Sequence, residues 1–189
     1  SPKCRNGTER CAEVLERLSP KPDLLVNVQG DAPLTPPDFV EALVDGIGDG
    51  DVATPVLRCD ASILSRFRAD RRQGRVGGTL AVMDRAMNAL YFSKELIPFA
   101  DHMESDVDAR DVFHHVGLYA FTPRALQHYL VWPPGLLELR EGLEQLRFLE
   151  HGATIKCVEV EGRGRPFWEL NNPVDVERIE RALMEFDIA

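Results

Sequence analysis

The chain has 189 residues, 44% hydrophobic and 28% charged, with 22 Lys and Arg against 31 Asp and Glu, a net charge of −9. That is the composition of an ordinary folded domain and excludes a disordered or collagen-like chain. No apolar run reaches the roughly 20 residues that cross a bilayer, and the acidic balance argues against a general nucleic-acid surface.

Residues 8–18 predict a helix, with Thr8 as its cap and Cys11, Val14, Leu15 and Leu18 on its apolar side. Residues 24–28, Leu-Leu-Val-Asn-Val between turn residues, read as a strand buried on both faces. A second helix follows from Thr35, with Pro36 at its first position, Asp38 completing a capping box and Gly48 and Gly50 ending it. Residues 52–57 are the next strand, and 66–78, rich in Arg and Gly, read as an exposed loop. Strands follow at 79–83 and 89–92, an acidic loop at 101–111, and a strong strand at 113–121. Residues 136–150 read as one helix with Leu139, Leu143, Leu146 and Leu149 on one face. A strand at 153–160 and a loop at 162–166 precede a last helix opened by Asn172-Pro173, with Val176, Ile179, Leu183 and Phe186 inward. Helices alternating with β-rich runs predict an α/β fold, a mixed, mainly parallel sheet flanked by helices, in a single domain over 1–189. The four cysteines, Cys4, Cys11, Cys59 and Cys157, show no CxxC pair and no metal spacing, and the first residues lack a signal-peptide core. They read as reduced thiols of a cytoplasmic protein.

Three segments carry candidate chemistry. In open α/β sheets ligands bind beyond strand ends, and the first strand runs into Gln29, Gly30 and Asp31. Gly30 lets a ligand approach the backbone, Gln29 offers a donor and an acceptor, and the Asp31 carboxylate suits either Mg2+ or a turn. In 113–121, alternation places His115, Gly117, Tyr119 and Phe121 on one face and His114, Val116, Leu118 and Ala120 on the other. The first face has the chemistry of a polar pocket floor, although His115 alone equally fits a structural histidine. In 141–147 the polar side chains read as a solvated helix face, with Glu141 and Gln145 four residues apart and able to act together.

Taken together, Asn6-Gly7-Thr8-Glu9-Arg10, residues 26–33 (VNVQGDAP), His115-Val116-Gly117-Leu118-Tyr119 and Leu143-Glu144-Gln145-Leu146-Arg147 resemble the 3-deoxy-manno-octulosonate cytidylyltransferases (CMP-Kdo synthetases). Ala89-Leu90-Tyr91-Phe92-Ser93 and Ile97-Pro98 match the same pattern, in the same order along nearly the whole chain. The resemblance implies a GT-A-like nucleotidyltransferase fold and a homodimer built partly through a β-rich segment near 79–121. It implies Mg2+-dependent transfer of CMP from CTP to a hydroxyl of an acidic sugar, releasing pyrophosphate, as a step of lipopolysaccharide biosynthesis. Nucleic acid and membrane are not implied partners. Asp31 would hold Mg2+ against the triphosphate, and Gln29, His115, Tyr119, Glu144 and Gln145 would line the acceptor pocket. Asn6, Gly7, Thr8 and Arg10 would lie near the cytidine.

Three departures from the family pattern sharpen these expectations. The family opens with a strand and a loop of Ser, Arg, Gly and Lys that cradles the CTP phosphates; no such segment is present here, so the sequence reads as a fragment. Towards the other end the family has Gly-Val-Asp-Thr-Pro, whose Asp completes the metal site, where this chain has Glu169-Leu170-Asn171-Asn172-Pro173. Asn171 falls at the Asp position, and Glu169, two residues earlier in an extended segment, points to the same side and restores the charge. Asn172 reads as a helix cap. Finally, Lys94 follows Ser93 where the family has Arg; it keeps a charge for the acid but loses the bidentate fork. The acceptor could therefore be another acid, such as a small phosphonate, and a non-catalytic member of the family is the remaining alternative. The arginines at 66, 68, 71, 72 and 75 read as solvated.

Overall fold

The computed structural model describes residues 2–76, 78–99, 111–163, 167, 169, 170 and 172–185. The elements run in the order α1 (Gly7–Arg17), β1 (Leu25–Val28), α2 (Pro37–Gly46), β2 (Val52–Arg58), α3 (Ala61–Arg72), β3 (Leu80–Met83) and β4 (Ala89–Ser93). They continue with β5 (Phe113–His115), β6 (Leu118–Phe121), α4 (Pro123–Val131), α5 (Leu136–Glu141), α6 (Leu146–Glu150), β7 (Ile155–Val160) and α7 (Pro173–Glu185). The expected acidic loop at 101–110, residues 164–166 of the loop before α7, Asn171 and Phe186 lie outside the described residues.

An α/β architecture forms as expected, but the sheet is not mainly parallel. Among the described residues only β2 and β7 pair in parallel, Thr54 opposite Cys157. The β1–β6, β2–β5, β2–β6, β3–β4 and β3–β5 pairs are all antiparallel. The physical reason is adjacency: β1 and β2 share a direction, as a helical crossover requires, but β6 is inserted between them pointing the other way. Alternation along a chain fixes the direction of such strands, not what lies between them.

The expected single strand at 113–121 is two. Val56 faces His115 and Ala53 faces Ala120, so three steps along β2 match five steps along its partner. The surplus bulges out at Val116 and Gly117. Thr54, on β2, fills the bulge: its hydroxyl lies 2.8 Å from the Leu118 carbonyl, 3.2 Å from that of Val116 and 2.9 Å from His115 Nε2. On the far edge, β1 pairs with β6 and β3 with β5, so the end of β1 and the start of β3 flank Gly117. The sheet opens there, and the opening becomes the site. β1 itself is half-buried, pairing along one edge only among the described residues.

Helices cover both faces. α1, α4 and α6 bury Leu15, Leu126, Tyr129 and Phe148 against Val52, Tyr119 and Phe121. α2 buries Phe39 and Leu43 against Ala53, Val116, Leu118 and Ala120 on the opposite face. The expected alternation of 113–121 is therefore observed, Tyr119 and Phe121 on one face and Val116, Leu118 and Ala120 on the other.

Several local expectations are corrected. Asn6, not Thr8, caps α1, its side chain accepting from the Glu9 amide at 2.9 Å. No capping box opens α2; Pro36 precedes it with no side-chain cap, and Thr35 bonds back to the Ala32 carbonyl. Much of the supposed loop at 66–78 is α3, capped by Asp60 and anchored by Leu64 and Phe67. Two of the arginines of that stretch are engaged: Arg75 grips the buried Asp70 at 2.6 Å and Arg71 meets Glu95 at 3.3 Å. The supposed helix at 136–150 breaks at Gly142, which takes the left-handed conformation (φ 64°) that ends α5. Asn172 stands at the start of α7, its amide N–H bonded to Asp175 and its side chain to Asp175 and the Val76 carbonyl. All four cysteines are free thiols. Among the described residues no helix is long and apolar enough to cross a membrane.

Candidate active site

A cleft of about 240 Å3 opens where the sheet splits, lined by Gln29, Asp31, Val76, Thr79, Lys94, His115, Gly117, Tyr119, Leu143, Glu144, Gln145 and Glu169. Eight of the residues expected from the sequence to bind acceptor or metal, Glu169 among them, thus come together from five separate stretches of chain.

Each is held by a specific local device. Gln29 and Asp31 lie in the turn after β1, where the Ala32 amide bonds to the Gln29 carbonyl. The Leu170 amide donates to the Asp31 carbonyl at 2.8 Å, which brings Glu169 beside that turn. One Glu169 oxygen accepts the Gly117 amide at 3.0 Å. A Cβ on Gly117 would stand 3.0 Å from Gln29 Oε1 and 3.1 Å from Glu169 Oε1, so glycine permits this close approach.

His115 projects from the end of β5 between Phe92 and Tyr119, its Nε2 against Thr54. Burial lowers its pKa to about 3, so it is neutral at physiological pH. Burial likewise pushes the Tyr119 hydroxyl well above its ordinary range and keeps it protonated. Glu144 accepts the Thr8 amide at 2.8 Å and Gln29 Nε2 at 3.2 Å. Burial raises its pKa, and those hydrogen bonds oppose the rise. Gln145 is 2% exposed, and its Nε2 is buried without a protein partner at the cleft wall. A buried donor left unpaired is costly, and Gln145 shares this state with Asn27, whose Nδ2 is also buried near the start of α1.

Glu141 does not act with Gln145 as the four-residue spacing implied, because the break at Gly142 separates them. It faces β4 instead, accepting Ser93 Oγ at 2.7 Å, Tyr91 Oη at 3.2 Å and the Lys94 amide at 3.0 Å. Lys94 reaches over the turn, its ammonium 3.0 Å from where a Gly142 Cβ would stand.

Of the residues expected near a nucleotide, Asn6, Gly7 and Thr8 form the start of α1 packed on Glu144. Asn6 also donates to Tyr129 Oη at 2.8 Å, and a Gly7 Cβ would stand 2.8 Å from Asn27 Nδ2. Arg10 is exposed on α1 and outside the cleft. The fit to Mg2+ rests on the donor set: Asp31 and Glu169 give the cleft two carboxylates, and Mg2+ takes one or two with water and phosphate. Among the described residues no cluster of three or more His, Cys, Asp or Glu forms a closed metal cage.

Sequence reasoning missed Thr54, and it missed the buried set of Tyr129, Glu138 and Arg147 behind Glu144. Thr54 carried a signal, being the one polar side chain in the run at 52–57. Arg147 carried another, a guanidinium directly beside the leucine stripe.

The α/β sheet flanked by helices, with carboxylates and neutral donors gathered where it splits, matches the α/β nucleotidyltransferase fold of a solved relative. A family model described as cytidylyltransferase matches residues 1–155. The 3-deoxy-manno-octulosonate cytidylyltransferase of Maricaulis maris (strain MCS10) is 38% identical over 182 residues, covering 95% of this chain and 69% of that one. Its counterpart in Anaeromyxobacter sp. (strain Fw109-5) is 38% identical over 179 residues, 94% of this chain and 67% of that one. A solved CMP:2-keto-3-deoxy-manno-octonic acid synthetase complexed with CTP superposes with a TM-score of 0.76 at 28% identity, covering 98% of this chain and 70% of that one. The inositol-1-phosphate CTP transferase of T. maritima shares the fold alone, with a TM-score of 0.52 at 11% identity. The chain belongs to the cytidylyltransferase family.

Proposed function

We propose that this protein transfers CMP from CTP to a hydroxyl of 3-deoxy-manno-octulosonate, releasing pyrophosphate and supplying lipopolysaccharide biosynthesis. The sugar hydroxyl attacks the α-phosphorus; the new O–P bond forms as the bond to the β-phosphate bridge breaks. Pyrophosphate leaves with that electron pair, and the hydroxyl proton passes to solvent. The single observation that carries the reading is the buried, unpartnered Gln145 amide beside Lys94, Glu144 and His115 in one cleft. A sugar acid matches that set: a carboxylate for Lys94, hydroxyls for the two glutamines and Glu144, and an uncharged imidazole as a further polar contact.

Catalysis here is positioning and charge neutralisation. Asp31 and Glu169 would hold Mg2+, which when bound offsets the charge of the triphosphate. Thr8 and Gln29 fix the Glu144 carboxylate, and Thr54 fixes His115. Asn6, Gly7 and Thr8 are assigned to the cytidine side, and Arg10, exposed on α1 outside the cleft, is not. The reading extends to a GT-A-like description of the fold, to a cytoplasmic location in keeping with the free thiols, and to a homodimer through 79–121. That segment exposes Leu90 (63%) and Phe99 (84%).

The test is pyrophosphate release by the longest chain the gene encodes, with CTP, Mg2+ and a panel of sugar acids and small phosphonates. Release with 3-deoxy-manno-octulosonate is expected. Release only with a phosphonate would replace the acceptor, and no release with any acid would leave a non-catalytic family member. Changing Glu169→Gln is expected to raise the Mg2+ requirement; an unchanged Mg2+ titration would remove Glu169 from the metal site.

A further inference from the structure

Behind the cleft lies a second hollow of about 280 Å3, lined by Arg5, Asn6, Glu138, Leu139, Glu144 and Arg147 among others. Glu144 and Gly142 border both spaces. Between them runs the turn 142–145, which joins α5 to α6 and forms one wall of the cleft.

This turn is gripped from both ends. At its far end Arg147, 1% exposed, donates through Nε and Nη2 to the two Glu138 oxygens at 2.7 and 2.6 Å. Its Nη1 reaches the carbonyls of Tyr129 and Trp132 at 3.3 and 3.4 Å and stands 3.8 Å from Glu9. The guanidinium lies over the Tyr129 ring, 3.9 Å from its centroid. Tyr129 in turn donates its hydroxyl to the Glu144 carbonyl at 3.3 Å while accepting from Asn6. At the near end Glu141 ties the turn to β4 through Tyr91, Ser93 and the Lys94 amide.

We propose that Arg147 and Glu141 are positioning residues that clamp the turn 142–145, setting the reach of Glu144, Gln145 and Lys94 for the acceptor. Neither touches the acceptor; each acts through the side chains that do. The proposal rests on the acceptor reading of the cleft. A charged pair this buried, joining two short helices, is not the cheapest way to stabilise a fold, since a well-packed apolar pair does as well or better. What it supplies is direction: a planar fork bonded at fixed angles to three segments. Displacements near 1 Å at such supports cost up to about a hundredfold in rate.

The test compares wild type with Arg147→Lys, Tyr129→Phe and Glu141→Gln in steady-state turnover, with KM measured separately for the acceptor acid and for CTP. Arg147→Lys is expected to raise acceptor KM roughly tenfold and Glu141→Gln a few-fold, both with CTP KM unchanged, while Tyr129→Phe, which also frees Asn6 on the cytidine side, should raise acceptor KM a few-fold and by more than CTP KM. Equal shifts in both KM values, or an unchanged acceptor KM in all three folded variants, would overturn the clamp. If wild type turns over no acid, the functional reading fails on its own. The clamp is then read by hydrogen exchange without ligand. Amides of 142–147 are expected to exchange several-fold faster in Arg147→Lys and Tyr129→Phe, with β2 and β7 unchanged. Wild-type exchange in that turn would overturn the clamp.

Discussion

The two faces of the sheet solve the same packing problem with different chemistry. Under α2 the core is Phe39, Leu43, Ala53, Leu57, Val116, Leu118 and Ala120, without a buried charge among them. Under α1 and α4 an apolar layer of similar character passes directly into Glu9, Glu138, Arg147 and Tyr129, then into the cleft. Burying apolar surface tolerates many arrangements, whereas a satisfied polar network admits few. The geometry-sensitive face is the one that carries the candidate chemistry.

The strongest way to break this contrast is on the polar face. Arg147→Met leaves Glu138 buried without its partner and is expected to cost about 3–5 kcal/mol in denaturant unfolding. Adding Glu138→Leu should recover most of that loss, while acceptor KM stays high. On the apolar face, Leu43→Ala removes a fully buried side chain and is expected to cost about 2–5 kcal/mol. That loss should leave the KM ratio of acceptor to CTP unchanged.

Smaller changes sharpen the comparison. Gly117→Ala should alter stability by under about 1 kcal/mol. It should nevertheless cut Mg2+-dependent turnover roughly tenfold by crowding Gln29 and Glu169. Glu144 has a raised carboxylate pKa, so its ionisation withdraws stability as pH rises through that value. Glu144→Gln is therefore expected to have the higher Tm at neutral pH, an advantage lost in acid, together with weaker acceptor binding. The smallest effect concerns the adjacent histidines of β5. Burial lowers His114 to about 4 and His115 to about 3, so both contribute stability above their ordinary pKa near 6.5 and lose it as pH falls towards those values. His114 sits between Phe67 and Phe167 with Nε2 unpartnered, and His114→Leu should flatten part of that acid decline in Tm.

What was legible in the sequence was local. α1, β2 and β7 carried their own breakers and periodicity, and their bounds came out within a few residues, although the cap of α1 fell two residues earlier than its sequence suggested. Gln29 and Asp31 stood out at a strand end and His115 and Tyr119 on one strand face, whereas Lys94, Glu144 and Gln145 stood out only through the family resemblance; all seven line one cleft. Strand order was not legible, since the antiparallel insertion of β6 depends on residues far apart in the chain. α3 was hidden by its arginines, which masked the spacing of Leu64 and Phe67 beneath the Asp60 cap. The break at Gly142 was hidden by the opposite effect, a leucine period continuing across a residue that had turned left-handed. The Arg147 clamp could not be seen because its partners come from α1, α4 and α5.

The most direct test of the account is a calorimetric titration of 3-deoxy-manno-octulosonate into the protein with Mg2+ and a non-hydrolysable CTP analogue, comparing wild type with Gln145→Leu. Wild type is expected to bind, and the variant, which removes the buried amide without adding bulk, to bind at least about tenfold more weakly with a ligand-free Tm no lower than that of wild type. Equal binding by the two proteins would contradict the assignment of this cleft to the acceptor acid.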